Sequence, residues 1–163
     1  KSGDRLLRED AVAAMRAELL PLALVVTPNI PEAETLAGMA IRTEEERREA
    51  ARRIAAYGPR YVVVKGGHVE GDPIDLLYDG TSFAAISSGP RIDTPNTHGT
   101  GCTFASAITA GLARGLAVEQ AVREAKSYLT AALRMSYRVG AGHSPVHHFH
   151  AWWAADTSPT LVG

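Results

Sequence analysis

At 163 residues, 45% of them hydrophobic and 21% charged, the chain has the composition of one globular domain with its own core, which excludes extensive disorder. Its 17 basic and 18 acidic residues nearly cancel, which argues against nucleic acid or an acidic membrane as partner. A lone cysteine excludes an internal disulfide and no apolar run reaches the length of a signal or membrane segment, so the expected location is the reducing cytoplasm.

The opening KSGDRLL has a Ser-Gly-Asp turn signal and no Met, and reads as the end of a strand or loop in a longer chain. Ala11, Val12, Met15, Leu19 and Leu20 then recur at helical spacing, with Asp10 as a cap and Pro21 as the stop. LALVV predicts a strand buried on both faces. It ends at TPNIPEAETL, where two prolines confine a loop and Pro31 can start a helix.

Thr43 to Glu46 spell T-x-x-E, a capping box. The charged helix behind it turns Ala50, Ala51, Ile54 and Ala55 inward, leaves its arginines and glutamates as a solvated face, and stops at YGP. YVVVK predicts a second buried strand ending at GGH, and IDLLYDGTSFAAI a hairpin turning at Asp79 and Gly80. Beyond it, a helix from Cys102 carries Phe104, Ile108, Gly111 and Leu112 on one face. A further helix carries Val118, Ala121, Val122, Ala125, Leu129, Ala132 and Leu133, and the tail from Gly140 has no period. The order predicts one α/β unit with a mainly parallel sheet.

The stretch DTPNTHGTGCTFASAITAGL places the only cysteine, Cys102, behind Gly99, Thr100 and Gly101 at a helix start. Such a junction turns backbone amides and the positive helix end toward one point and makes an anion hole. The plainer reading is a tight glycine turn with a small buried thiol. Asn29 and Glu32 beside prolines equally suit a turn and helix start, Lys65 an ordinary strand end, and Asp93, Thr94, Asn96 and Thr97 a loop whose side chains satisfy turn amides. His147, His148 and His150 invite a metal reading, but no cysteine or carboxylate accompanies them, and packing of the tail is the simpler account.

Seven segments in order, KSGDRLL, VVTPNIPEAETLAG, VVVKGGH, YDG, NTHGTGC, EAKSYLTAAL and GHSPVHHF, resemble the hydroxymethylpyrimidine and hydroxymethylpyrimidine phosphate kinases of thiamine biosynthesis, within the ribokinase-like superfamily. The likeness runs from Lys1 to Phe149. It implies that residues 1–149 are the C-terminal part of a single ribokinase-like kinase domain, a mainly parallel sheet flanked by helices with a short hairpin, followed by an irregular tail over 150–163. It also implies ATP-dependent phosphorylation, with Mg²⁺, of the pyrimidine hydroxymethyl group and then of the monophosphate.

The same resemblance makes Cys102 the general base and Gly99, Thr100 and Gly101 the hole for the transferring phosphate. Asn29 and Glu32 become the N-x-x-E pair that positions Mg²⁺, often through water. Lys65, Thr97, Asp93, Thr94 and Lys126 fall on the nucleotide side, although Lys126 also suits an ordinary surface lysine. Family members carry, ahead of the position of Lys1, a glycine-rich substrate segment, so the acceptor side is poorly represented. A sheet truncated at one edge exposes unpaired backbone, from which a homo-oligomer, a dimer in the simplest case, is expected. The rival functions are a pyridoxal or pyridoxine kinase and a catalytically incompetent nucleotide-binding module. A thiol redox or protease role lacks both a C-x-x-C and a motif supplying a histidine partner.

Overall fold

The structure is a computed structural model that describes residues 9–66 and 71–152. KSGDRLL, Gly67 and His68 of GGH, and the tail from Trp153 lie outside the described residues. The chain divides into two compact units, Lys1–Arg91 and Ile92–Gly163.

The first unit is built on a four-stranded sheet in the order β1 (Val25–Val26), β2 (Tyr61–Val64), β3 (Asp75–Tyr78) and β4 (Phe83–Ile86). β1 and β2 run parallel, whereas β2–β3 and β3–β4 are antiparallel. The described sheet is therefore mixed, because its last two strands are the predicted hairpin, which adds antiparallel neighbours to the parallel pair. β2 is a run of valines with Val62, Val63 and Val64 fully buried, as a strand covered on both faces requires.

The helical stretch at the start is α1 (Glu9–Ala14), continued by a π turn over Met15–Leu19 and a 3₁₀ turn over Leu20–Leu22. Pro21 sits at the start of that last turn, where its missing N–H costs no hydrogen bond. The strand predicted over LALVV shrinks to Val25 and Val26, both half-buried, and Leu22 is exposed. Two causes act together: Pro21 holds the preceding residues in the 3₁₀ turn, and β1 lies at the edge of the described sheet rather than between two strands.

The predicted T-x-x-E cap forms, a second capping box stands where only a turn and helix start were expected, and Asp10, expected as a cap, lies inside α1 with its carboxylate accepting from the Ala11 N–H. In α2 (Ile30–Ala37) the Asn29 side chain accepts from the Glu32 N–H while the Glu32 carboxylate accepts from the Asn29 N–H. In α3 (Glu44–Ala55) Thr43 and Glu46 do the same. The apolar faces of both helices meet β2 in one core of Leu20, Ala33, Leu36, Ala37, Ala50, Ala51, Ile54, Val62 and Val64. The expectation that every α3 arginine is solvated fails at Arg47, which is 7% exposed. Arg47 stands at i of the inward stripe i, i+3, i+4, i+7 completed by Ala50, Ala51 and Ile54, so helix geometry carries it into the core side.

The second unit packs α4 (Thr100–Ala113) on α5 (Val118–Arg134). Contact is close enough that a Cβ at Gly111 would meet the Ala121 Cβ at 3.0 Å. Gly115, at φ 86, follows the end of α4.

Candidate active site

The candidate residues fall into two groups, one in each unit. In the first, β2 runs out at Val64 and Lys65 follows with its side chain 20% exposed. The Lys65 N–H donates to the Pro28 carbonyl at 2.9 Å, which ties the strand end to the loop that opens α2. As a result the Lys65 ammonium reaches within 3.9 Å of the Glu32 carboxylate, and Asn29, Glu32 and Lys65 form one local group. Glu32 and Asn29 are already engaged in their capping box, so as hard oxygen donors they suit Mg²⁺ held largely by water and phosphate rather than by a protein cage. Their charge pattern, one carboxylate and one ammonium at the carboxyl end of a parallel strand, is where open α/β sheets take ligands.

In the second unit the helix start begins two residues earlier than its sequence expectation. Gly99 occupies the cap position in the left-handed region, at φ 81, and caps α4 with no side-chain hydrogen bond. Intrahelical bonding starts with the Thr103 N–H donating to the Gly99 carbonyl at 2.8 Å. The amides of Gly101 and Cys102 thus precede the first intrahelical donor, the Thr103 N–H, at the positive end of a helix of 14 residues. Cys102 is exposed, which removes the reading of it as a small buried thiol. A Cβ at Gly99 would meet no atom within 4 Å, so it is the left-handed backbone and not crowding that calls for glycine there.

The loop before α4 is braced from behind. Thr94 Oγ1 accepts from the Asn96 N–H at 3.2 Å and lies 3.3 Å from Ser136 Oγ, to which the buried Asn96 side chain also donates. Here Thr94 and Asn96 act on the turn itself, while Asp93 and Thr97 stay exposed. The His98 N–H donates to the Ser144 carbonyl, and Ser144, 1% exposed, holds Val139 through its hydroxyl. Ser136 carried no sequence signal and Ser144 only its place in GHSPVHHF, since isolated serines in aperiodic segments look like any loop residue. A half-open cleft of about 330 Å³ lined by Pro95, Asn96, Arg138, Ala141, Gly142 and His143 lies at this loop.

Lys126 lies on α5 and is 6% exposed, so it is no surface lysine. In the tail, the His147 ring meets Tyr137 edge-on at 5.4 Å and the His150 ring lies 4.9 Å from Tyr128, which packs both against aromatic neighbours. Among the described residues no three His, Cys, Asp or Glu side chains are grouped to hold a metal ion.

The family model described as phosphomethylpyrimidine kinase matches residues 1–147. The chain belongs to the phosphomethylpyrimidine kinase family. Within that family it is 52% identical over 156 residues to the hydroxymethylpyrimidine/phosphomethylpyrimidine kinase of Rhizobium meliloti, covering 93% of this chain and 58% of the relative. It is 51% identical over 152 residues to the thiamine biosynthesis bifunctional protein ThiED of Geobacter sulfurreducens, covering 93% of this chain and 31% of that protein. The chain thus spans little more than half the length of the single-function kinase relatives.

Among solved structures, an ADP complex of Bacillus subtilis pyridoxal kinase aligns with a TM-score of 0.84 at 40% identity, covering 90% of this chain and 58% of that one. The phosphomethylpyrimidine kinase of Clostridium difficile aligns at 0.69 and 37% identity, covering 82% and 53%. This phosphomethylpyrimidine kinase family chain therefore has the ribokinase-like fold expected of its sequence. No helix among its described residues is long and apolar enough to cross a membrane.

Proposed function

We propose that the protein phosphorylates 4-amino-5-hydroxymethyl-2-methylpyrimidine and its monophosphate with ATP, in thiamine biosynthesis, and that residues 1–149 are part of a single kinase domain. The observation that carries this reading is the start of α4: a left-handed Gly99 without side-chain cap, the Gly101 and Cys102 amides ahead of the first intrahelical donor, and the exposed Cys102 side chain beside them.

ATP, bound with Mg²⁺, supplies the phosphoryl group and the counter-charge for its transfer. The turn of Gly99, Thr100 and Gly101 holds negative charge where it develops, through the Gly101 and Cys102 amides in particular, since the Thr100 N–H donates to the Thr97 carbonyl, and this is the main protein contribution to phosphoryl transfer. Cys102 accepts the proton of the substrate hydroxyl. Asn29 and Glu32 position Mg²⁺ through water, and Lys65 faces the nucleotide phosphates. Thr97, Asp93, Thr94 and Lys126 belong to the nucleotide side as well, Thr94 through the turn it braces and Lys126 from α5. The near-neutral charge supports a small-molecule substrate rather than nucleic acid or membrane, and a cytoplasmic protein acting as a homo-oligomer completes the proposal.

The solved pyridoxal kinase aligns with a higher TM-score, 0.84, than the phosphomethylpyrimidine kinase, 0.69, so the decisive experiment is a substrate comparison. The protein is incubated with Mg²⁺ and ATP and, in turn, hydroxymethylpyrimidine, its monophosphate and pyridoxal, and phosphorylated products are quantified. Transfer to the pyrimidines with kcat/KM at least about tenfold above pyridoxal is expected. Transfer to pyridoxal alone overturns the assignment, and ATP binding without transfer to any of the three indicates a nucleotide-binding module.

A further inference from the structure

Lys65 is the first residue beyond β2, where a chain leaving a sheet ordinarily gains freedom, yet both peptide groups flanking it are fastened. The Val64 carbonyl accepts from Arg47 Nη2 at 2.6 Å, and the N–H of that same peptide, from Lys65, donates to Pro28. The next peptide is held by the Gly66 N–H, which donates to Asp75 Oδ1 at 2.8 Å. Arg47 Nη2 also donates to the Ile74 carbonyl at 2.6 Å, so one guanidinium nitrogen joins β2 and the approach to β3 just past their last ladder pair, Val64 with Leu76. Gly66 permits the approach, because a Cβ there would lie 1.9 Å from the Ile74 oxygen.

Arg47 and Asp75 are 7% and 3% exposed. Burial pushes the Arg47 pKa down, opposed by the charges of Glu44 and Asp75. Buried charges are a poor means of stabilising a fold, since apolar side chains of similar volume serve as well or better. What this pair supplies is direction, fixing the backbone from which the Lys65 side chain departs toward Glu32.

We propose that Arg47 and Asp75 are positioning residues for Lys65, holding the two peptide groups on either side of it so that its ammonium is presented in one place. The inference rests on the reading of Lys65 as a phosphate-side lysine.

The test is steady-state kinetics of Arg47→Lys, Asp75→Ala, Asp75→Asn, Lys65→Ala and the double variant Arg47→Lys with Lys65→Ala, together with amide hydrogen exchange at Val62, Val63 and Gly66. Lysine keeps the charge but not the planar fork, and asparagine keeps an acceptor for the Gly66 N–H that alanine lacks. Arg47→Lys and Asp75→Ala are expected to raise KM for ATP about tenfold with kcat changed by less than about twofold, and Asp75→Asn to stay near the parent value. The double variant should bind no worse than Lys65→Ala alone. Exchange at Gly66 should quicken in Asp75→Ala while Val62 and Val63 stay protected.

Full additivity of the Arg47 and Lys65 effects, or loss of protection at Val62 and Val63 along with Gly66, overturns the positioning role. An unchanged KM in Lys65→Ala overturns the Lys65 reading beneath it, and the two failures are told apart by that single variant.

Discussion

The Lys65 ammonium lies 3.9 Å from the Glu32 carboxylate, bringing together two residues that are 33 positions apart in sequence. With the lysine 20% and the glutamate 54% exposed, the pair stabilises the fold by no more than about 1 kcal/mol. Its interest is therefore placement: a carboxylate and an ammonium side by side can serve a metal ion and a phosphate in one complex.

Glu32→Gln separates the charge of this residue from its capping role, because glutamine can accept the Asn29 N–H in the same box. Thermal unfolding should move little. The Mg²⁺ concentration needed for half-maximal activity should rise, and an unaltered Mg²⁺ titration would remove Glu32 from the metal side.

Cys102→Ala removes the proposed base from an exposed position, so the fold should tolerate it. A loss of about 10²- to 10⁴-fold in kcat is expected, with ATP affinity nearly constant. Near-parent kcat in a purified, folded variant would sink the base assignment while leaving the amide hole in place.

Two glycine substitutions should differ for separate physical reasons. Gly99→Ala meets no atom within 4 Å but must hold φ 81, a strain of about 1–2 kcal/mol. Gly66→Ala drives its Cβ against the Ile74 carbonyl, a backbone atom already fixed by Arg47, and should cost at least about 3 kcal/mol. Chemical denaturation of both variants checks the order, which reverses if the Gly66 segment yields easily.

The hairpin turn carries an acid-sensitive contribution. Asp79 accepts from the backbone N–H groups of Ser82 and Thr81 and from both their hydroxyls, which holds its pKa well below the usual carboxylate range. A depressed folded pKa contributes stability above the unfolded value, about 3.9, and loses it as pH falls below that value toward the folded one. Asp79→Asn should accordingly destabilise the protein at pH 7, and the gap to the parent should narrow in urea titrations from about pH 4 downward. A gap independent of pH would show that the hydrogen bonds matter without the charge.

The local grammar of this chain is legible in its residues. The capping box of Thr43 and Glu46, the helix start behind Asn29, the buried valine strand, the hairpin at Asp79 and Gly80, and the turn of Gly99 before α4 follow from side chains acting within a few positions of themselves. The string around Cys102 likewise named the family that the comparison then established. Tertiary structure decided what depends on distant neighbours. LALVV had the composition of a full strand, but its place at the edge of the described sheet and Pro21 left only two residues paired. Arg47 looked like one more charge on a solvated helix, until Val64 and Ile74 brought carbonyls to it from 17 and 27 residues away. Lys126 suited a nucleotide-side lysine and an ordinary surface lysine alike, and the folded chain covers it. A buried charge is tolerated only where the fold delivers partners from elsewhere in the chain, and no spacing along α3 or α5 records which partners will arrive.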